Sequence, residues 1–336
     1  MFSKRVSEKN SEAHVVFSKG QKGVLLLPMS ESEIILCIPL IEYLRKKAGR
    51  EVSLKLVCVG THNAVIQGFF SELTVWNPPV KNFFIDQKEF KNVIQEIQDF
   101  QPDYFINLDT SPSYVSWYVQ LCSQAPIRMT LGPCPEPFAN LSVLPGTMHN
   151  TFKIYQQITC FWDQGSSSMN IHELEIAPNS ERKHEVQREL QQANLTSKKE
   201  RVLFLWDSRP SLRKQQQTIV QNLLQSENWQ PVIACTQEES RKHTIPSSLI
   251  ATLPCFVGVT RGKLIALLSE TPYVIGFCSP NLLLAYLCGN TTLGLFQEAD
   301  RYLDISTLSQ NGHIQYWEKD SITDVEAELD RIRKTT

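Results

Sequence analysis

"YVIGFCSPNLLLAYLCGNTTLGLF", residues 273–296, is the most apolar stretch of the chain. Two short strand-like runs, "VIGFC" (274–278) and "TTLGLF" (291–296), flank a Leu-rich turn of helix and a Gly289-Asn290 break. Continuous apolar runs bounded by turn residues read as strands buried on both faces, and strands separated by helices read as a parallel sheet. A membrane span is excluded, because Ser279, Pro280, Asn281 and the Gly289-Asn290 break interrupt the apolar run before it reaches about 18 residues.

The same alternation extends on both sides. "GVLLLP" (23–28) reads as a buried strand, and 32–47 as a helix with Ile34, Ile35, Ile38, Ile41 and Leu44 apolar and Ser30 or Ser32 able to cap it. Strands follow at 53–60, 103–109 and near 126–131, with helices near 86–99 and 113–123. After a polar linker within 164–200, which ends in a helix capped near Asn179-Ser180, a second set begins. It holds strands at 201–206, 231–235, 274–278 and 291–296, helices at 212–226 and 262–270, and a charged terminal helix. The expected architecture is α/β: two Rossmann-like domains facing across a cleft. A polar tail (1–21), a first domain (22–165), a second domain (166–325) and a terminal segment (326–336) divide the chain.

Composition narrows the function classes. The chain has 336 residues, 42% of them hydrophobic and 20% charged, with a formal net charge of −2. That is a globular composition, and without a concentrated basic surface it excludes nucleic acid as the main partner. Nine cysteines sit without any Cys-x-x-Cys pair, mostly inside apolar runs. The expectation is core thiols in a reducing, cytoplasmic setting and no zinc site. The N-terminal "MFSKRVSEKNSEAH" lacks a signal-peptide apolar core. Neither a P-loop, nor a nucleophile elbow, nor a Gly-rich dinucleotide fingerprint is present.

Ligands of doubly wound sheets bind at the carboxyl ends of the strands, so the loops there carry the candidates. Glu31 and Glu33 follow the first strand, where a carboxylate serves either as a general base or as a partner of the helix dipole. "WDSRPSLRK" (206–214) brings Ser208, Arg209, Ser211, Arg213 and Lys214 to the start of a helix, a place for a diphosphate or simply a solvated basic turn. In "GVTRGK" (258–263) Thr260 is expected to cap a helix, with Arg261 and Lys263 exposed; contact with a ligand is the alternative. His149 stands near the domain junction.

This order of elements resembles glycosyltransferase family 9, the heptosyltransferase-like enzymes of the two-domain GT-B fold, over residues 22–325. In that family a Gly-Asp pair follows the first strand, and the Asp is the proposed base; Ser32 and Glu33 hold those places, with Pro39 at the helix proline. The segment from Gln101 resembles the family's run from a Tyr-Asp strand to an Arg-x-x-Gly close, with Arg128 and Gly132 near its end. By resemblance, Asp109 and Ser111 fall where acceptor or donor contacts arise, the acceptor being the expectation. His149 takes the place of a family His before the inter-domain helix, an acceptor contact with a surface or core histidine as the alternative. Arg213, with Lys214 beside it, takes the place of a phosphate-binding Lys.

The opening stretch resembles the family's donor motif, Asp-Ser/Thr-Gly-x-x-His-Leu-Ala, with Ser279, Leu284, Ala285, Gly289 and Phe296 in register. Cys278 replaces the Asp, Pro280 the Gly, Leu283 the His and Thr291 a later Pro. Each charge-assisted hydrogen bond so lost costs about 1.5–3 kcal/mol. Backbone amides at 280–283, apart from that of Pro280, stay available to a phosphate, with Ser279 and Asn281 as donor contacts. The resemblance implies a metal-independent, cofactor-free transfer with inversion. The donor is a nucleotide-diphosphate sugar, an ADP-sugar by default, and the acceptor a glycan or lipid-linked saccharide; contact with a membrane surface stays open. The alternative is an inactive relative that serves as a binding or scaffold module.

Overall fold

The computed structural model describes residues 22–48, 53–59, 70, 73–77, 88–133, 137–144, 150–161, 176, 178, 180–193, 199–242, 245–303, 312–316 and 324–335. The chain divides into two compact units, Met1–Asn170 and Ile171–Thr336. The N-terminal tail, His149 and most of the linker, Asn179 included, lie outside the described residues.

Unit 1 runs β1 (Lys22–Leu26), α1 (Glu31–Ala48), β2 (Ser53–Val57), β3 (Thr74–Trp76), α2 (Lys88–Phe100), β4 (Tyr104–Asn107), α3 (Tyr114–Cys122), β5 (Ile127–Leu131), β6 (Leu141–Val143) and α4 (Thr151–Thr159). Its six-stranded sheet has the order β3-β2-β1-β4-β5-β6, and every pairing is parallel. Val24, Leu25 and Leu26 are all fully buried, which explains why β1 shows no polar alternation. One face packs Val24, Leu26 and Phe105 against Phe90, Ile97 and Val119 of the helices. Of the two proposed caps of α1, Ser32 lies inside the first turn, while Ser30 precedes the helix and its carbonyl accepts the Ile34 N–H.

Unit 2 runs α5 (Ser180–Gln192), β7 (Glu200–Leu205), a 3-10 turn (Pro210–Leu212), α6 (Arg213–Gln225), β8 (Trp229–Thr236), α7 (Gln237–Lys242), α8 (Ser247–Ile250) and β9 (Cys255–Val259). It continues with α9 (Arg261–Glu270), β10 (Tyr273–Phe277), α10 (Pro280–Leu287), β11 (Thr291–Phe296), a 3-10 turn (Glu298–Leu303), β12 (Gly312–Tyr316) and α11 (Val325–Thr335). The second six-stranded sheet is ordered β12-β11-β10-β7-β8-β9, again all parallel. Counted within its own unit, each sheet has the Rossmann order 3-2-1-4-5-6. The expectation of two Rossmann-like α/β domains holds. The short strands β3, β6, β9 and β12, three to five residues each, were not read from apolar runs. Among the described residues no helix is long and apolar enough to cross a membrane.

The terminal helix belongs to this second core: Val325, Leu329 and Ile332 of α11 are buried with Trp229 and Ile219. Trp229 is fully buried, and its indole N–H donates to Asp330 Oδ1 at 2.8 Å, so the ring buries its area without stranding a polar group.

The stretch 273–296 forms β10–α10–β11 as read. Gly289 (φ +79°) turns the chain after α10, and the buried Asn290 side chain donates to the carbonyls of Leu268 and Thr271, both at 2.8 Å. Those bonds fix where β11 starts relative to α9. In β11, Gly294 leaves room for the Tyr286 ring of α10: a Cβ there would meet the Tyr286 hydroxyl and come within 2.7 Å of the Phe296 ring. Tyr286 in turn donates to the His313 carbonyl of β12 at 2.9 Å. Gly294→Ala is therefore expected to destabilise the protein by about 1–3 kcal/mol through overpacking. Urea unfolding checks this, and an unchanged midpoint would show that the two rings can give way.

Candidate functional site

In each sheet the strand order reverses between two neighbouring strands, β1 and β4 in unit 1 and β7 and β10 in unit 2. The loops leaving these strands diverge to opposite faces and open a crevice at the carboxyl edge. Both crevices are crossed by a side chain from one loop to the other.

In unit 1 that side chain is Thr110, whose hydroxyl donates to Glu33 Oε1 at 2.5 Å. Glu33 lies in the first turn of α1, and Thr110 in the loop after β4. Burial raises the Glu33 carboxyl above its usual range; the Thr110 bond opposes the rise and the Asp109 charge adds to it. Asp109, only 3% exposed, is also raised by burial, against hydrogen bonds from the Ser111 N–H (3.0 Å) and the Ser116 hydroxyl (3.5 Å). Behind the pair, burial pushes up both the Cys37 thiol and the Tyr155 hydroxyl, and Tyr155 donates to the Leu108 carbonyl at 3.1 Å. Two desolvated carboxylates on a fixed turn are equipped to accept a proton from a hydroxyl.

In unit 2 the bridging residue is Arg209, in the loop after β7. Its guanidinium forks onto Asp207, Nε to Oδ1 at 3.0 Å and one terminal nitrogen to Oδ2 at 2.8 Å, and that nitrogen also donates to the Cys278 carbonyl at 2.8 Å. Asp207 is held by Gln216, which accepts its N–H at 2.7 Å and donates to its carbonyl at 2.9 Å.

A second network spans the next loops. Glu239 of α7 accepts from the Thr236 N–H (3.1 Å) and hydroxyl (2.9 Å) and from the Asn281 amide (2.9 Å). The Asn281 side-chain oxygen Oδ1 accepts from Arg261. Burial, with Asp207 nearby, lifts Glu239 to about 7, and burial lowers Arg261 to about 10.

These networks place the residues expected from sequence. Glu33, Asp109 and Ser111 come together at the unit 1 crevice. Ser279 and Asn281 begin α10 at the unit 2 crevice, with Ser208 half-buried beside Arg209. Arg213 and Lys214 occupy the first turn of α6 and are exposed. His149 lies outside the described residues.

Two expectations are corrected. Arg261 and Lys263 are not a solvated pair: Arg261 is half-buried against Asn281, and Lys263 bonds Glu185 (3.0 Å) and Glu189 (2.8 Å) of α5. Thr260 does cap α9, accepting the Lys263 N–H at 3.3 Å. The amides opening α10 are also largely committed: Ser279 takes the Leu282 N–H on its hydroxyl and the Leu283 N–H on its carbonyl, and Pro280 has none. Leu283, at the place of the family's His, is fully buried. Asp207 went unread although its partners Arg209 and Gln216 lie within nine residues, and Glu239 because Asn281 reaches it from the loop after β10; the polar triplets after β7 and β8 were the available signal.

No protein-family model matches the sequence, and no curated protein does either. Solved structures do share the fold. A glycosyl transferase family 9 protein from Veillonella parvula DSM 2008 superposes with a TM-score of 0.66 at 16% identity, over 94% of this chain and 89% of that one. The ADP-heptose lps heptosyltransferase II of E. coli gives 0.67 at 13% identity, over 94% and 100%. An E. coli heptosyltransferase with ADP-2-deoxy-2-fluoro heptose gives 0.64 at 12%, over 94% and 100%. At these identities the shared property is the fold.

Glu239 carries a pH signature. Its folded value, about 7, exceeds the unfolded one near 4.5, so the folded state holds the proton longer as pH rises. Its contribution to stability is full below the unfolded value and is lost as pH climbs through about 7. The unfolding free energy of wild type relative to Glu239→Gln should therefore fall by about 1–3 kcal/mol between pH 5 and pH 8. A flat difference in urea titrations would contradict the buried-carboxylate picture.

Proposed function

We propose that this protein is an inverting, metal-independent glycosyltransferase whose residues 22–165 take the acceptor and 166–325 a nucleotide-diphosphate sugar. The observation that carries the reading is the desolvated Glu33 at the unit 1 switch point, held by Thr110 and flanked by Asp109. A carboxylate so placed can deprotonate an acceptor hydroxyl, which then attacks the anomeric carbon while the diphosphate leaves. Arg213 and Lys214, exposed on the first turn of α6, would offset the charge on the leaving group. Asp109, Ser111 and His149 would contact the acceptor, and Ser208, Ser279 and Asn281 the donor. An ADP-sugar is the first donor to try, since fold relatives include ADP-heptose enzymes. The acceptor would be a glycan or lipid-linked saccharide, and the reaction would be cytoplasmic.

A second reading is favoured by a specific observation in unit 2. Arg209, in the loop after β7, is already paired with Asp207 and tied to the Cys278 carbonyl, and Leu283 is buried in the core. A crevice satisfied from within suits a non-catalytic relative that serves as a binding or scaffold module.

Calorimetric titration with ADP, UDP and GDP separates the two. Binding that weakens at least about tenfold in Arg213→Ala supports the donor site, one lost charge-assisted bond being worth about 1.5–3 kcal/mol. No binding by any of the three nucleotides would rule out the transferase. If turnover is found, Glu33→Gln should lower kcat by about 10²–10⁴-fold. In wild type kcat/KM should drop as pH falls through the raised Glu33 value, because the base must be ionised.

A further inference from the structure

The loop after β4 is fixed residue by residue. Asn107 Oδ1 accepts the Asp109 N–H at 3.1 Å, Asp109 Oδ1 accepts the Ser111 N–H at 3.0 Å, and Tyr155 holds the Leu108 carbonyl at 3.1 Å. The Leu108 N–H donates to the Leu26 carbonyl at 2.8 Å, which locks this loop to the end of β1, the strand that feeds α1. Thr110 therefore projects from a rigid turn. A glutamate side chain has three rotatable bonds and two equivalent oxygens, and in the first turn of a helix its carboxylate is drawn back to the helix amides. The Thr110 hydroxyl removes that ambiguity by engaging Oε1 at 2.5 Å.

We propose that Thr110 is a positioning residue that clamps Oε1 of Glu33, so that Oε2 is the atom receiving the acceptor's proton. The inference rests on the transferase reading and adds to it which oxygen acts and what aims it. In the step, the acceptor oxygen bonds to the anomeric carbon and its proton passes to Glu33 Oε2. The bond from the anomeric carbon to the diphosphate breaks, and its electron pair departs with the diphosphate. The titratable groups facing Glu33 are Asp109 from the same loop as Thr110, Cys37 one turn along α1, and Tyr155 from α4. None of them supplies the donor that Thr110 supplies.

The test uses the full chain with carboxyl-labelled glutamate, followed by NMR. Glu33 is identified by the resonance missing in Glu33→Gln and titrated in wild type, Thr110→Val and Thr110→Ser. Thr110→Val removes a donor to the ionised carboxylate, so the Glu33 midpoint should move up; Thr110→Ser keeps the hydroxyl and should restore it. An unmoved midpoint in Thr110→Val, or an equal shift in Thr110→Ser, overturns the clamp whether or not the protein transfers a sugar. Thr110→Ala replaces the valine variant if that one does not fold. With an ADP-sugar and turnover in wild type, kcat should fall about 10- to 100-fold in Thr110→Val at unchanged KM and recover in Thr110→Ser. Turnover that is indifferent to Thr110→Val also overturns the proposal. Failure of wild type to bind any nucleotide overturns the transferase reading instead, and the carboxyl titration then decides the clamp alone.

Discussion

Parallel strand pairing is the constraint on which the rest of this molecule depends. A parallel neighbour cannot be reached by a tight hairpin, so each strand must be followed by a crossover that lies on one face of the sheet. Running the first crossovers one way and the later ones the other gives the order 3-2-1-4-5-6 and leaves one place per sheet where successive loops part. In this chain those places lie beside β1 and β4 and beside β7 and β10. Glu33 and Thr110 meet at the first of these places and Arg209 and the Cys278 carbonyl at the second, while the Glu239 network reaches from the second into the loops after β8 and β9.

The two crevices are filled in opposite ways. In unit 1 a single hydroxyl engages one oxygen of Glu33, and neighbouring Asp109 and burial keep that carboxylate costly to ionise. In unit 2 the charges of these networks are answered within the protein: Arg209 by Asp207, Glu239 by Thr236 and Asn281, and Arg261 by Asn281 Oδ1. A buried polar network that is satisfied internally is rigid, and any anion entering it must displace a bond that already exists. Cys278 and Leu283 at the same crevice are buried, so the start of α10 presents apolar core rather than further polar side chains.

Legibility followed burial. The long inner strands β1, β7, β8, β10 and β11 were visible because burial on both faces demands unbroken apolar runs such as Val24–Leu26 and Val202–Leu205. The edge strands β9 and β12 and the three-residue edge strands β3 and β6 escaped because a partly exposed strand needs no such run. Glu33 was readable as a candidate from its position after a strand. Its partner Thr110 was not, since the two are 77 residues apart in the chain.

By itself the sequence determined the fold class, the two-fold repetition of the architecture and the carboxyl edge of each sheet as the place of its candidate residues. Apolar continuity, helix-entry residues and glycine breaks are local signals, and they survive without knowledge of partners. Only the tertiary structure decided which candidates meet. It joined Thr110 to Glu33, tied Arg209 to Asp207 and the Cys278 carbonyl, and drew Arg261 from an expected solvated turn into contact with Asn281. The physical reason is that a charge or hydroxyl takes its meaning from its desolvation and its hydrogen-bond partner, and the crossovers of a parallel sheet bring both from distant parts of the chain.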